Sequence, residues 1–189
     1  MDEFSQKRVL IKLKNSTLKD LPKNVHSFSY DRTLVTAGIV HIGVGNFHRA
    51  HQAWYLHQLF EKGLNLDWGI VGAGVRSFDR KQRQKLVEQD FLTTLITLDP
   101  NQTRVEVIGS MIEYIAVQQN NKPLIERMAS QDIRIVALTV TEGGYYLDPA
   151  SKVFDPTHPD ISHDIQNPHT PKSVFGSMIA ALKLRRFKY

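Results

Sequence analysis

The sequence predicts an α/β protein, built on a parallel β-sheet with antiparallel strands inserted into it. Two apolar runs, "GIVHIGV" (38–44) and "LDWGIVGAGV" (66–75), each end in glycines and lead into a helical pattern. A third, "DIRIVALTV" (132–140), is continuous enough for a strand buried on both faces, which is the mark of a parallel sheet. Between the second and third lie short alternating runs rich in β-branched residues, the pattern of antiparallel strands.

The elements follow in order. "VLIKLKN" (9–15) alternates apolar and basic residues, as an edge strand or an early helix would, and 16–37 is polar and irregular. Residues 1–35 therefore form an N-terminal extension and 36–189 a domain. After the first strand, Ala50, Ala53, Leu56, Leu59 and Phe60 recur at helical spacing, with Gly63 placed to stop the helix. The second strand leads into the charged helical stretch "SFDRKQRQKLVEQD" (77–90). "FLTTLITL" (91–98), "TRVEVIG" (103–109) and "MIEYIAV" (111–117) read as the inserted antiparallel strands. "NKPLIERMAS" (121–130) is a short helix with Pro123 near its start, where a missing N–H costs little. After the third strand come a turn, "TEGGYY" (141–146), and a proline-broken loop (148–171). The final helix (171–187) gathers Val174, Phe175, Met178, Ile179 and Leu182 on one side. A crossover helix carries the chain to a next parallel strand, and none follows here. Either this helix caps the sheet, or the sheet is incomplete and the domain truncated.

Bulk properties narrow the function. With 41% hydrophobic and 23% charged residues, 189 residues suffice for one globular core. No run of about eighteen apolar residues predicts a membrane span, and the N-terminus lacks the apolar region of a secretory signal. Together these point to a cytoplasmic location. The absence of cysteine excludes disulfides, thiolate catalysis and cysteine metal sites. The net charge of +5 is confined to the ends: six Lys/Arg against three acids in 1–30, and five against none in 170–189. The middle carries 13 against 16, so the basic excess reads as solvated termini rather than a nucleic-acid surface.

The chemistry concentrates where the first strand ends. A Gly-x-Gly turn between strand and helix can aim backbone N–H groups at a pyrophosphate. The first glycine permits the tight turn and the second a close approach. Gly43 and Gly45 occupy these places, and Asn46 can cap the helix. His48 stands where a third glycine usually permits close packing of helix on strand. The segment alone fits either a cofactor turn or a ligand-free connection. Asp79, after the second strand, suits a ribose-hydroxyl acceptor or a helix-start residue. Arg76, Arg80 and Lys81 beside it could hold a 2′-phosphate. "GAGVRS" is a rival phosphate turn, disfavoured by the charged helix that follows it. Thr141 and Glu142 end the third strand, where open α/β sheets place ligands; Glu142 equally suits a plain turn. His48, His51 and His57 lack a completing carboxylate, so no metal site is expected.

"GIVHIGVGNFHRAHQA", "DWGIVGAGVRSFDRK", "IRIVALTVTEGGYY" and "HDIQNPHTPKSVFGSMIAAL" together resemble the N-terminal half of the polyol-specific long-chain dehydrogenases, in order from about 36 to 186. The resemblance implies an incomplete Rossmann-like domain. It also implies reversible NAD-linked, metal-free oxidation of a polyol such as D-mannitol to a ketose such as D-fructose, with other polyols or a hexuronate as alternatives. A histidine at the third-glycine position is usual in that family. By position, Gly43, Val44, Gly45, Asn46, Phe47, His48 and Arg49 form the pyrophosphate turn, and Arg76 and Asp79 lie at the ribose. Thr141 and Glu142 lie near nicotinamide and substrate. NAD-preferring relatives commonly carry an acid before that aspartate; Phe78 stands there, which leaves NADP open. The family's catalytic lysine, oxyanion-stabilising asparagines and histidine lie in motifs beyond residue 189, so no catalytic residue is assigned and the chain alone is expected to be inactive. The competing reading is a non-catalytic nucleotide-binding or regulatory module.

Overall fold

The computed structural model of the chain describes residues 10–74, 79–116 and 121–188. In chain order the elements are β1 (Val25–His26), β2 (Ala37–Ile42), α1 (Asn46–Ala50), α2 (Gln52–Glu61), β3 (Gly69–Ala73) and α3 (Asp79–Glu88). They continue with β4 (Thr93–Leu98), β5 (Thr103–Ile108), β6 (Met111–Tyr114), α4 (Lys122–Met128), β7 (Ile135–Leu138), α5 (Pro159–Gln166) and α6 (Val174–Lys188).

The main sheet has the order β6-β3-β2-β7 and is parallel throughout. Its two central strands are the two glycine-ended runs, and both are almost wholly buried. Side chains alternate across a strand, and β2 uses both faces. Val40 and Ile42 join Val71, Ala73 and residues of α4 and α6 in one core. His41 turns to the other face, against α1. There a second core gathers Ala53 of α2, Leu86 of α3 and Ile70, Met111 and Tyr114 of the sheet. Leu86 is the single buried residue of α3. That charged helix is therefore held by about 2–3 kcal/mol of apolar burial, together with a bond from Arg83 Nε to the Tyr114 carbonyl.

A small sheet, β1-β5-β4, flanks this frame. β4 and β5 form the expected antiparallel hairpin. The third inserted run behaves otherwise: β6 pairs parallel to β3 and belongs to the main sheet. Alternation reports half-burial, not strand direction, so the sequence could not distinguish the two. Residues 15–35 are tied to the domain by hydrogen bonds. Arg32 donates to the carbonyls of Asp90, Gly109 and Met111, and β1 pairs with β5.

Five further expectations are corrected. The described part of the 9–15 run holds no strand; a 3-10 turn, Asn15–Asp20, follows it instead. The first helix breaks at His51, whose φ of −120° and ψ of −79° separate α1 from α2. The proline-broken loop contains α5, because Pro159 sits at a helix start, where its missing N–H is harmless. The third strand, β7, is an edge strand rather than a doubly buried one, with Ile135 45% exposed. On α6, Val174, Phe175 and Met178 pack inward, whereas Ile179 and Leu182 are 54% and 66% exposed.

Candidate functional site

A cleft of about 290 Å³ opens across the C-terminal ends of β2, β3 and β7. This is where open parallel sheets bind ligands, since adjacent connections diverge there. Its walls bring together Gly43, Val44, Gly45, Asp79 and Thr141, which lie far apart in sequence.

The two glycines of the turn differ in what they do. Gly43 has φ +91°, and a Cβ there would collide with the Thr139 carbonyl oxygen. It is glycine because the fold requires it. Gly45 has φ −86° and ψ −176°, an extended conformation open to any residue. A Cβ on Gly45 would meet nothing within 4 Å among the described residues, so no contact among them requires this glycine. Gly45 lines the cleft, where that open space is available to a ligand.

Asp79 begins α3 and lies across the end of β3. A Cβ on Gly74 would overlap its side chain. The rival glycine turn thus serves as a seat for Asp79. Burial, and next the nearby Asp79 carboxylate, push the Tyr114 hydroxyl upward. Arg80 and Lys81 point to solvent. Arg76 lies outside the described residues.

His48 takes the third-glycine position by stacking rather than by being small. Its imidazole lies on that of His41, and both are buried. Burial pulls His41 down to about 3, with His48 acting the same way and the Gly43 hydrogen bond opposing. Burial lowers His48 as well, opposed by its hydrogen bond to Gln52. Both rings are therefore neutral at pH 7. Of the other histidines, His51 bonds the Phe47 carbonyl and His57 bonds the Tyr30 hydroxyl, so the three point to separate partners. Among the described residues no group of three or more potential ligands could hold a metal ion.

Not every turn residue reaches the cleft. Asn46 is the first helical residue rather than the cap, which is Gly45. The Asn46 amide oxygen accepts from Arg49. Arg49 lines a separate hollow with Thr93 and Thr94. Phe47 is exposed and stacks on His51. Glu142 opens a 3-10 turn directly after Thr141. Sequence reading missed Gly74, Gln82, Thr139, Tyr146 and Val174 as cleft residues. Gly74 was visible as part of the rival turn, and Gln82 one turn beyond Asp79. Tyr146 and Val174 had no local signal, because folding alone brings them there.

With this geometry in hand, the family model of the mannitol dehydrogenase Rossmann domain matches residues 37–188. The chain belongs to the mannitol dehydrogenase family. It is 54% identical over 166 residues to the mannitol 2-dehydrogenase of Cereibacter sphaeroides, a match covering 88% of this chain and 35% of that protein. It is 39% identical to the polyol:NADP oxidoreductase of Gluconobacter oxydans, covering 90% of this chain and 35% of the relative. Among solved structures, Pseudomonas fluorescens mannitol 2-dehydrogenase in ternary complex with NAD and D-mannitol superimposes with a TM-score of 0.88 at 45% identity, over 94% of this chain and 36% of that one. The present mannitol dehydrogenase domain thus spans about a third of the length of these relatives.

Proposed function

We propose that the chain supplies the cofactor-binding part of an NAD-dependent dehydrogenase interconverting D-mannitol and D-fructose. The observation that carries this is Gly45: a glycine that no contact among the described residues requires, lining a cleft at the ends of three parallel strands. The likeness to a mannitol 2-dehydrogenase solved with NAD and D-mannitol supports the same reading.

In this reading the pyrophosphate lies over Gly43–Gly45, against the first-turn N–H groups of α1, which no helix can satisfy internally. The Asp79 carboxylate accepts hydrogen bonds from the adenosine ribose hydroxyls, and its charge disfavours a 2′-phosphate. NAD is therefore preferred over NADP. The nicotinamide extends toward Thr139–Thr141, with Tyr146 and Val174 as apolar walls that keep water out. When bound, NAD accepts the hydride from the alcohol carbon.

Hydride transfer also needs a base for the alcohol proton and donors for the developing alkoxide. Among the described cleft residues the only ionisable side chains are Asp79 and Tyr146. Asp79 is committed to the ribose, and Tyr146 is a buried wall. We therefore assign no catalytic residue, and the chain is expected to bind cofactor without turning over polyol.

Titration of the 189-residue chain with NADH, followed by nicotinamide fluorescence, tests the binding claim. Saturation is expected, with NADPH binding more weakly. No saturable signal up to millimolar NADH would refute it. Fructose reduction by the purified chain would overturn the claim of inactivity while leaving binding intact.

A further inference from the structure

The stacked histidines do more than fill the place of a glycine; one of them, His41, begins a short chain of hydrogen bonds that ends on the glycine turn. His48, bonded to Gln52 at 2.8 Å through Nδ1, meets His41 by ring stacking and not through a hydrogen bond. His41 Nε2 lies 2.9 Å from Thr139 Oγ1, and the Thr139 hydroxyl donates to the Gly43 carbonyl at 3.0 Å. A threonine hydroxyl has a single proton. Since it goes to Gly43, the His41 Nε2–H must be the donor to Thr139. The histidine thereby fixes which way the hydroxyl points.

The Gly43 carbonyl also accepts from the Gly45 N–H at 2.8 Å, so two donors grip it from β7 and from the turn itself. A trans peptide is planar, with its C=O and N–H opposed. Pinning the Gly43 oxygen inward therefore turns the Val44 N–H the other way. Without the Thr139 hydroxyl this peptide would keep only the Gly45 N–H and the His41 ring as partners among the described residues. Glycine at positive φ has more conformational freedom than any other residue.

We propose that Thr139 is a positioning residue for the cofactor turn. Its hydroxyl, oriented by His41, holds the Gly43–Val44 peptide so that its N–H is presented to the pyrophosphate of a dinucleotide. The stacked His48 ring packs against His41 behind those hydrogen bonds. This rests on the cofactor reading above and adds to it a residue that touches the turn rather than the reacting atoms.

The test compares NADH titrations of the wild-type chain with Thr139→Val and Thr139→Ser. Valine keeps the branched shape and removes the hydroxyl; serine keeps the hydroxyl. The expectation is a Kd raised about tenfold in T139V, the scale of one lost hydrogen bond at the turn, and within about twofold in T139S. Val107→Ala, a buried change in β5 outside the cleft lining, controls for stability: it lowers the melting temperature and leaves Kd unchanged. Should T139V not fold, Thr139→Ala against Thr139→Ser carries the same contrast. A wild type that binds NADH together with a T139V that binds equally well overturns this inference alone. A T139S as weak as T139V also overturns it. A wild type with no saturable signal overturns the cofactor reading and this inference with it.

Discussion

The rings of His41 and His48 lie 3.5 Å apart at their centroids and within 11° of parallel. Two imidazoles so placed cannot both be charged, and burial keeps each neutral. The Nδ1 of His41 and the Nε2 of His48 are buried with no hydrogen-bond partner among the described residues.

This pair makes stability fall with acid. His41 titrates near 3 in the folded chain against about 6.5 unfolded, and His48 is lowered in the same direction. A depressed histidine costs nothing above the unfolded value, where both states are neutral. Below it the unfolded state takes up the proton first, so stability is lost from pH 6.5 down toward 3. Each histidine contributes up to about 1.4 kcal/mol per pH unit. Urea unfolding at pH 7, 6 and 5 is expected to show this slope, and His48→Gln to reduce it. A flat profile in both would contradict the neutral stack.

Restoring the third glycine should harm the protein. His48→Gly removes a buried ring and leaves His41 facing a void, at a cost of about 3 kcal/mol. Thermal or urea unfolding would measure it; a variant as stable as wild type would mean that α1 collapses onto β2 as in a three-glycine turn.

Gly43 and Gly45 are expected to separate folding from binding. Gly43→Ala should destabilise by about 2 kcal/mol or more, from positive φ and the collision with Thr139. Gly45→Ala should fold within about 0.5 kcal/mol of wild type, while NADH affinity drops by about tenfold or more. Melting curves beside NADH titrations check both, and a G45A variant that binds normally would remove the main support for the cofactor reading.

Asp79→Asn should weaken NADH and narrow its advantage over NADPH. Charge-assisted hydrogen bonds contribute about 1.5–3 kcal/mol, so a loss of about tenfold or more in NADH affinity is expected. Unchanged NADH and NADPH constants would show that Asp79 does not meet the ribose.

Asp164 fastens α6, which carries Val174 to the cleft. Its carboxylate accepts from the backbone N–H groups of Lys172 and Ser173 and from the Ser173 hydroxyl. Burial opposes its ionisation, yet these hydrogen bonds together hold it below the usual carboxylate range. Its contribution is present above the unfolded value and is lost as pH falls below about 4. Asp164→Ala is expected to cost about 2 kcal/mol, measured by urea unfolding at pH 7, with no loss expected if the cap were idle.

The alternation of apolar and polar residues and the glycine punctuation were enough to find β2, β3, the β4–β5 hairpin and α6, because each reports local burial. They could not tell that "MIEYIAV" joins β3 in parallel or that "DIRIVALTV" lies at an edge. Both facts depend on which strand is next door. Gly43, Gly45 and Asp79 were legible as cleft residues because their sequence signals are local: glycines after a strand, an acid after the next. Thr139 was not, since its role exists only once β7 lies beside β2. His48 looked like a defect in a motif, and only the ring of His41 on the neighbouring strand shows what occupies the space.

The seat that Gly74 makes for Asp79 also constrains the order in which this chain can change. Any side chain at 74 would displace the aspartate, whereas a smaller residue at 79 would leave 74 free to vary. Substitution at 79 must therefore come first, and reversion to aspartate is closed once 74 has been filled. If Asp79 meets the ribose as proposed, coenzyme preference would be recorded in two positions that change in one direction more easily than in the other.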